Sequence, residues 1–512
     1  MQQAVSSANR ASPQTEQTLQ DGAVLAAIDL GSNSFHLIVA RVEHDEIRPV
    51  ETLSEKVQLG AGLKDGVLDK AAIRRGMDCL ARFKQVLDSV SPHRTRIVGT
   101  NALRQARNRR DFTQAAEALL GVPIDVIYGR EEARLVYLGV AHTLADDEHS
   151  RLVVDIGGGS TEFIVGQRFE PQRLESLQMG CVSYTNQFFK RGRITERRYR
   201  KAYDAARLEV SHIRHRFAAR HWEDCVGSSG TLQAIEGILV NSGWSEGGIN
   251  RSGLASLEKA LLTFDHIDKI DLQGLSDTRR NVILSGVAIT AGIFDELGVD
   301  IMRPSRGALR EGVIYDLLGR LSHEDVRERT LNALLQRYNA DLQIADTVEA
   351  RARTLFDSTS GPWELTSDDW SLLRWAARGH EIGMSISHKH YNRHGAYLLR
   401  NADLPGFSQN EQETLALLVL CHRRKVPLEV FDSHGEQERM RLLRLTTLLR
   451  LACAFKYVEQ LESLPEFRVS ASRRRLKLSF PEDWLDKHPL THYELKQERL
   501  QAKKLGIKIS LR

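Results

Sequence analysis

No apolar run in this 512-residue chain approaches the roughly 20 residues needed to cross a bilayer. The best, residues 415–421, is far shorter, so a soluble protein is expected. The opening MQQAVSSANRASPQTEQTLQ lacks the charged start and apolar core of a secretory signal, and residues 1–22 read as a disordered leader. Cysteine is scarce. Cys79, Cys181, Cys225, Cys421 and Cys453 are odd in number, scattered and free of CxxC spacing, which argues against a disulfide framework or a zinc site and fits a reducing cytoplasm. An excess of one charge is missing too: Lys+Arg 71 against Asp+Glu 67 leaves +4, too little over this length to demand nucleic acid as a partner. Neither GxxxxGK[ST] nor a strand-linked GxGxxG occurs, so any bound phosphate must be met by backbone dipoles, metal and arginine rather than by a loop lysine.

What is present suggests several domains, because the length exceeds what one core usually supports. Residues 23–320 alternate aliphatic runs, such as 96–99 and 124–127, with helical patterns such as 111–120, and this reads as α/β. From about residue 321 the pattern turns helical, as at 440–451, where Leu442, Leu445, Leu448 and Leu449 are spaced for one face. A β-like stretch at 466–480, interrupted by Arg473, Arg474 and Arg475, suggests a small tail module. The expected divisions are 23–136 and 137–320 for two α/β lobes, 321–465 for a helical domain and 466–512 for the tail.

The two lobes are inferred from an internal repeat. Asp29-Leu30-Gly31-Ser32-Asn33-Ser34 and Asp155-Ile156-Gly157-Gly158-Gly159-Ser160 match at Asp, aliphatic, Gly and Ser, each followed by a second aliphatic strand, with a constant offset of 126 (155 − 29). A strand ending in Asp, a Gly-rich turn and a returning strand let backbone N–H groups converge on an anion. One such loop is equally an ordinary hairpin; two in register point to a cleft between related lobes. Gly31, Gly157, Gly158 and Gly159 are expected to let the backbone take positive φ and approach a phosphate without a Cβ in the way, with Ser32, Ser34, Ser160 and Thr161 offering hydroxyls. Asp29 and Asp155 suit Mg²⁺, with Glu162 as a third carboxylate, while the matching position in the first copy is His36. Glu131 and Glu132 open a helix in which neighbours diverge by about 100°, so only one of them can face the cleft and polarise a water. Gly230 and Thr231, and Gly307 and Arg310, lie in two further Gly-rich turns that offer more anion contacts. Arg104 is a candidate phosphate fork, with a surface ion pair as its alternative.

Together, DLGSNSFH (29–36), TNALRQA (100–106), GREEARL (129–135), DIGGGSTE (155–162), GSSGT (227–231) and GALREG (307–312) resemble the bacterial exopolyphosphatase and guanosine pentaphosphate phosphatase family, over nearly the whole chain. The resemblance implies a duplicated ribonuclease H-like core, as in actin, heat-shock ATPases and sugar kinases. It implies Glu132 as catalytic glutamate, Asp155 and Glu162 as magnesium-linked acids and Arg104 as phosphate arginine. Arg306 departs from the family, which often has Asp before GALREG. The helical region resembles the HD-type domain of longer members, but with His380-Glu381 in place of the HD pair. Met384 excludes HExxH, and His388, His390 and His394 form no metal-ligand pattern, so a degenerate domain serving substrate grip and dimer contacts is expected. Two basic clusters, Arg191, Arg193, Arg197, Arg198 and Arg200, and His422-Arg423-Arg424-Lys425 with Arg439, Arg441, Arg444 and Arg450, suit a polyanion track. The leading expectation is therefore an Mg²⁺-dependent exopolyphosphatase acting on inorganic polyphosphate. Its alternative is a guanosine pentaphosphate phosphatase, whose loop tends to read GGAS where this chain has Gly157-Gly158-Gly159-Ser160. A nucleotide-gated binding protein is the alternative of another class. Homodimerisation and peripheral attachment at the inner face of the cell membrane are implied by the resemblance alone.

Overall fold

The computed structural model describes residues 22–43, 46–91, 94–144, 149–321, 325–455 and 467–512. The expected leader, apart from Gly22, and the start of the β-like stretch at 466 lie outside them. The chain forms two compact units, Met1–Asp325 and Val326–Arg512.

In the first unit the leading strands are β1 (Val24–Leu30), β2 (Ser34–Glu43), β3 (Glu46–Lys56), the short β4 (Leu63–Lys64) and β5 (Val67–Leu68), β6 (Thr95–Gly99) and β7 (Ile124–Val126). Then come β8 (Ser150–Ile156), β9 (Thr161–Gln167), β10 (Glu170–Leu177), β11 (Asp224–Ser228), β12 (Ile249–Asn250) and β13 (Ile301–Pro304). One sheet runs β3-β2-β1-β6-β7 and the other β10-β9-β8-β11-β13-β12. In each, the first three strands are antiparallel and the next two parallel, so the second sheet repeats the first and adds β12 at its edge. This is the duplicated ribonuclease H-like arrangement that the repeat implied.

Strand periodicity decides which side chains meet between the sheets, because alternate residues point to opposite faces. In β1, Ala26, Ile28 and Leu30 join an outer core with Leu80, Phe83 and Phe112, whereas Leu25 and Ala27 join an inner core. In β8, Leu152, Val154 and Ile156 face outward and Val153 inward. Asp29 and Asp155 carry the inward parity at the last turn of strand before each loop. The inner core is completed by helices Gly129–Ala141 and Leu309–Leu321, through Ala133, Val136, Val140, Val313 and Ile314. These helices touch so closely that a Cβ on Gly312 would lie 1.7 Å from the Leu135 carbonyl oxygen. Beside them Asp316, 5 % exposed, is held by three arginines. Arg96 Nη1 donates to it at 2.5 Å, Arg320 Nε at 2.8 Å, and Arg134 through Nη2.

The second unit packs helices Leu342–Trp363, Ser367–Gly379, Gln409–Cys421 and Glu436–Ala454 around one core. Strands β14 (Arg468–Ser472), β15 (Arg475–Ser479) and β16 (Lys508–Leu511) form a sheet whose Leu476, Leu478 and Ile509 enter that same core. The helix expected at 440–451 is present, but it is buried on more than the expected face. Leu443, Thr446, Thr447, Arg450 and Leu451 are covered as well, because neighbours pack around it. Among the described residues no helix is long and apolar enough to cross a membrane.

In the second basic cluster Arg424 and Lys425 are exposed, but Arg439, Arg441, Arg444 and Arg450 are engaged within the fold. Arg450, 3 % exposed, donates to both oxygens of Glu498 at 2.6 and 2.9 Å and to the Cys421 carbonyl. Arg441 is shared by Glu438 and Asp369, Arg439 lies 3.5 Å from Asp432, and Arg444 donates to the Trp363 carbonyl at 2.6 Å. For Arg441 and Arg450, carboxylates distant in sequence take up the charge. In the first cluster Arg198 donates to the Lys190 and Arg193 carbonyls and Arg200 pairs with Asp204.

Candidate active site

Between the lobes lies a cavity of about 320 Å³. Residues 31–34 and 157–160 form its walls, with Asp29, Asp155 and Glu132 among its lining side chains. The repeat is preserved in register: Asp29 stands opposite His36 across β1 and β2, and Asp155 opposite Glu162 across β8 and β9. The loops face each other, since a Cβ on Gly158 would sit 3.1 Å from the Ser32 Cβ. None of Gly31, Gly157, Gly158 and Gly159 has positive φ, contrary to expectation. What glycine supplies here is clearance, a Cβ at Gly159 falling 2.4 Å from Asn101 Oδ1.

The two neighbouring glutamates separate cleanly. Glu131 is clasped by Arg134 through two bonds of 2.8 Å, and Arg134 in turn reaches Asp316, so Glu131 belongs to the buried network behind the cleft. Glu132, 8 % exposed, lines the cavity and accepts from Arg104 Nη1 at 3.0 Å. Arg104 also donates to the Ile127 carbonyl at 2.8 Å and does not line the cavity. The surface ion pair weighed for Arg104 is thus an ion pair after all, but a buried one that orients Glu132.

Burial pushes the Glu132 carboxyl upward, with the Arg104 charge and hydrogen bond opposing it. Burial also raises Asp155 to about 7, with Ser228 opposing and Glu132 adding to the rise. Asp29 and Glu162 are held well above the usual carboxylate range by burial and by the other acids. His36 is driven down to about 4 by burial and the charges of Arg310 and Arg279, so it is neutral. Four mutually repelling carboxyls need a cation to remain ionised together. Asp29 Oδ1 is buried without a hydrogen-bond partner, as a ligand atom held ready would be. Among the described residues no three Asp, Glu, His or Cys side chains already converge as a cage. Asp29 and Asp155 on a wall of phosphate-cradling loops fit the donor set of Mg²⁺, which takes one or two carboxylates and completes its shell with phosphate and water.

Ser32, Asn33, Ser34, Ser160, Gly230, Thr231 and Arg310 line the cavity as expected. Besides Arg104, three residues do not reach its wall. Thr161 is fully buried and its hydroxyl donates to the Met179 carbonyl. Glu162, 1 % exposed, sits behind Asp155 and accepts from Ser176 Oγ at 2.9 Å. Gly307 is buried against Gly139, and its carbonyl accepts from Ser228 Oγ at 3.1 Å, which fastens the loop rather than contacting a ligand. The sequence reading missed Thr100, Asn101, Cys181, Gln233 and Arg279 on the wall. Asn101 lay inside a motif already singled out, but Arg279 gave no signal, since Asp277-Thr278-Arg279-Arg280 reads as an ordinary helix start. Ser229 caps the helix Gly230–Asn241 with φ 103°.

Twin loops closing on an acidic floor, carried by two ribonuclease H-like lobes, define a phosphoryl-handling class of protein. Residues 37–321 match the family model described as Ppx/GppA phosphatase family, and 326–499 match that of Ppx/GppA phosphatase, domain III. The chain belongs to the Ppx/GppA phosphatase family. It is 37% identical over 488 residues to the guanosine-5'-triphosphate,3'-diphosphate pyrophosphatase of Pseudoalteromonas translucida, covering 95% of this chain and 98% of that one. The protein of the same name from Aeromonas hydrophila is 37% identical over 490 residues, with the same coverage. Among solved structures, an exopolyphosphatase from Cytophaga hutchinsonii shares the fold at 22% identity and a TM-score of 0.53, covering 58% of this chain and 98% of that one. The Aquifex aeolicus member of the Ppx/GppA family aligns at 26% identity and a TM-score of 0.50, with the same coverage.

Proposed function

We propose that this phosphatase hydrolyses guanosine pentaphosphate, releasing its terminal 5′-phosphate, and that this reading displaces inorganic polyphosphate as the principal substrate. The observation that carries it is the identity of 37%, sustained over 95% of the chain, to relatives named for guanosine-5'-triphosphate,3'-diphosphate. The internal pairing of Arg439, Arg441, Arg444 and Arg450 supports it from the other side, because it weakens the case for a polyphosphate track.

In this reading Glu132, held by Arg104 and raised in basicity by burial, takes a proton from the attacking water. The water oxygen bonds to the terminal phosphorus while the bond from that phosphorus to its bridging oxygen breaks, and the electrons stay on the bridging oxygen, which leaves on the nucleotide's remaining 5′-diphosphate. Backbone N–H groups and hydroxyls of residues 31–34 and 157–160, with Arg310 and Arg279, bind the triphosphate. Asp29 and Asp155, which line the cavity, are the residues that would hold Mg²⁺, with Glu162 adding its charge from behind Asp155; the ion when bound would neutralise phosphate oxygens. The second unit is read as a degenerate HD-like domain, its His380 and Glu381 buried rather than open to a substrate. Dimerisation, a cytoplasmic location and loose membrane attachment belong to the same reading.

Polyphosphate remains the second reading, favoured by the Gly157-Gly158-Gly159-Ser160 loop. Phosphate release from guanosine pentaphosphate and from long-chain polyphosphate, compared at one ionic strength with Mg²⁺, separates the two. A higher kcat/KM is expected for the nucleotide; a preference for polyphosphate overturns the proposal.

A further inference from the structure

Three arginines along the cavity wall differ in how far they are already engaged. Arg310 donates from Nε to Glu311 Oε1 at 2.7 Å and lies 3.4 Å from His36 Nδ1. Arg279, half-buried, acts electrostatically on Asp155 and His36. Arg306 is exposed, lines the same cavity, and forms no hydrogen bond or ion pair with another described residue. Exposure distinguishes the two ends of the cavity: Glu132 at 8 % belongs to the floor and Arg306 to the mouth.

The backbone that carries Arg306 is pinned on both sides. Ser305 N donates to the Gly227 carbonyl at 2.8 Å and the Ser305 carbonyl accepts from Gln233 Nε2 at 2.9 Å. Gly307 N donates to Ser305 Oγ at 3.0 Å and the Gly307 carbonyl accepts from Ser228. A guanidinium with no internal partner on a fixed stem loses no existing bond when an anion arrives, and its planar fork matches phosphate oxygens. The terminal phosphate must travel to the Glu132 end, and the 5′-chain follows it along the loops. The groups left at the mouth are then the other two on the ribose, the base and the 3′-diphosphate, and of these a free guanidinium fork suits the diphosphate.

We propose that Arg306 is a specificity-determining residue that binds the non-reacting 3′-diphosphate of guanosine pentaphosphate. This rests on the substrate reading above, and the two can fail separately. GTP carries the same 5′-triphosphate without the 3′-diphosphate, and tripolyphosphate lacks the nucleoside altogether. The test is kcat/KM on all three for the full-length wild type, Arg306→Ala and Arg306→Lys, each with Mg²⁺. Arg306→Ala is expected to cut the preference for guanosine pentaphosphate over GTP about tenfold, mainly through KM. Arg306→Lys should keep part of that preference, retaining charge without the fork. A preference unchanged in both variants, whether the rates fall together or not at all, overturns the role; a common fall on all three substrates assigns Arg306 to the 5′-chain instead. Wild-type protein that releases no phosphate from guanosine pentaphosphate removes the substrate reading, and this role with it. Should the alanine variant melt early, the lysine variant carries the comparison.

Discussion

Adjacent glutamates on one helix turn have opposite fates here, and partners far away in sequence decide which is which. The 100° between neighbours dictates that only one can enter the cleft. That it is Glu132 follows from Arg134 and Asp316, which draw Glu131 into the buried network. Glu132→Gln should therefore lower kcat by roughly 10²–10⁴-fold while leaving the thermal midpoint near that of the wild type, since glutamine still accepts from Arg104. Glu131→Gln should do the reverse, because breaking one side of a buried pair costs about 3–5 kcal/mol. Its melting temperature should drop by several degrees while the folded fraction keeps its turnover. Phosphate release and calorimetry on the two variants check this, and near-wild-type turnover in Glu132→Gln would refute the assigned base.

Among the elements, the site depends on how closely two helices and two loops approach. Glycine was legible in the sequence as a loop signal, and of its two expected uses the cleft loops show close approach, Gly158 and Gly159 making room for the opposite lobe, and not positive φ. The same need appears between helices Gly129–Ala141 and Leu309–Leu321, where Gly312 lies against the Leu135 carbonyl. Gly312→Ala must push these helices apart, at a cost of about 1–3 kcal/mol or more, and should displace Arg310 with its helix. Lower thermal stability and weaker phosphatase activity are both expected. Gly379→Ala is the control, because a Cβ there meets nothing within 4 Å at the end of helix Ser367–Gly379. That change should be neutral or stabilising by about 0.5–1 kcal/mol. A Gly312→Ala protein that melts with the Gly379→Ala control would show that the helix contact is loose.

Across the whole molecule, the gathering of Asp29, Glu132, Asp155 and Glu162 gives the protein a pH signature. Their folded-state pKa values are raised, so the folded chain binds more protons than the unfolded one. The associated stability is present in full below the unfolded values, near 4, and is lost as pH rises through the folded values, about 7 for Asp155. Neutral His36, at about 4, works in the opposite sense but only below its unfolded value near 6.5. Between about pH 6.5 and 8.5 the Mg²⁺-free protein should therefore lose thermal stability, and added Mg²⁺ should raise the midpoint more at the upper end, where the carboxyls are charged. A midpoint that rises with pH without Mg²⁺, or an Mg²⁺ effect equal at both ends, contradicts a cation site at these acids.

The sequence by itself determined the duplicated fold and the position of its two loops, because strand periodicity and turn chemistry are local and the 126-residue offset repeats them. It also placed Asp29 and Asp155 at the strand ends beside those loops, and the packed cores then showed that both carry the inward parity. The resemblance singled out Glu132, but only the tertiary structure supplied the reason, and only it decided that Arg104 serves Glu132, that Arg279 and Arg306 reach the cavity, and that Arg450 and Arg441 are engaged by Glu498 and Asp369. The bonds from Arg104, Arg441 and Arg450 join partners tens of residues apart. A charge written in sequence does not reveal whether the fold will bring its opposite to meet it.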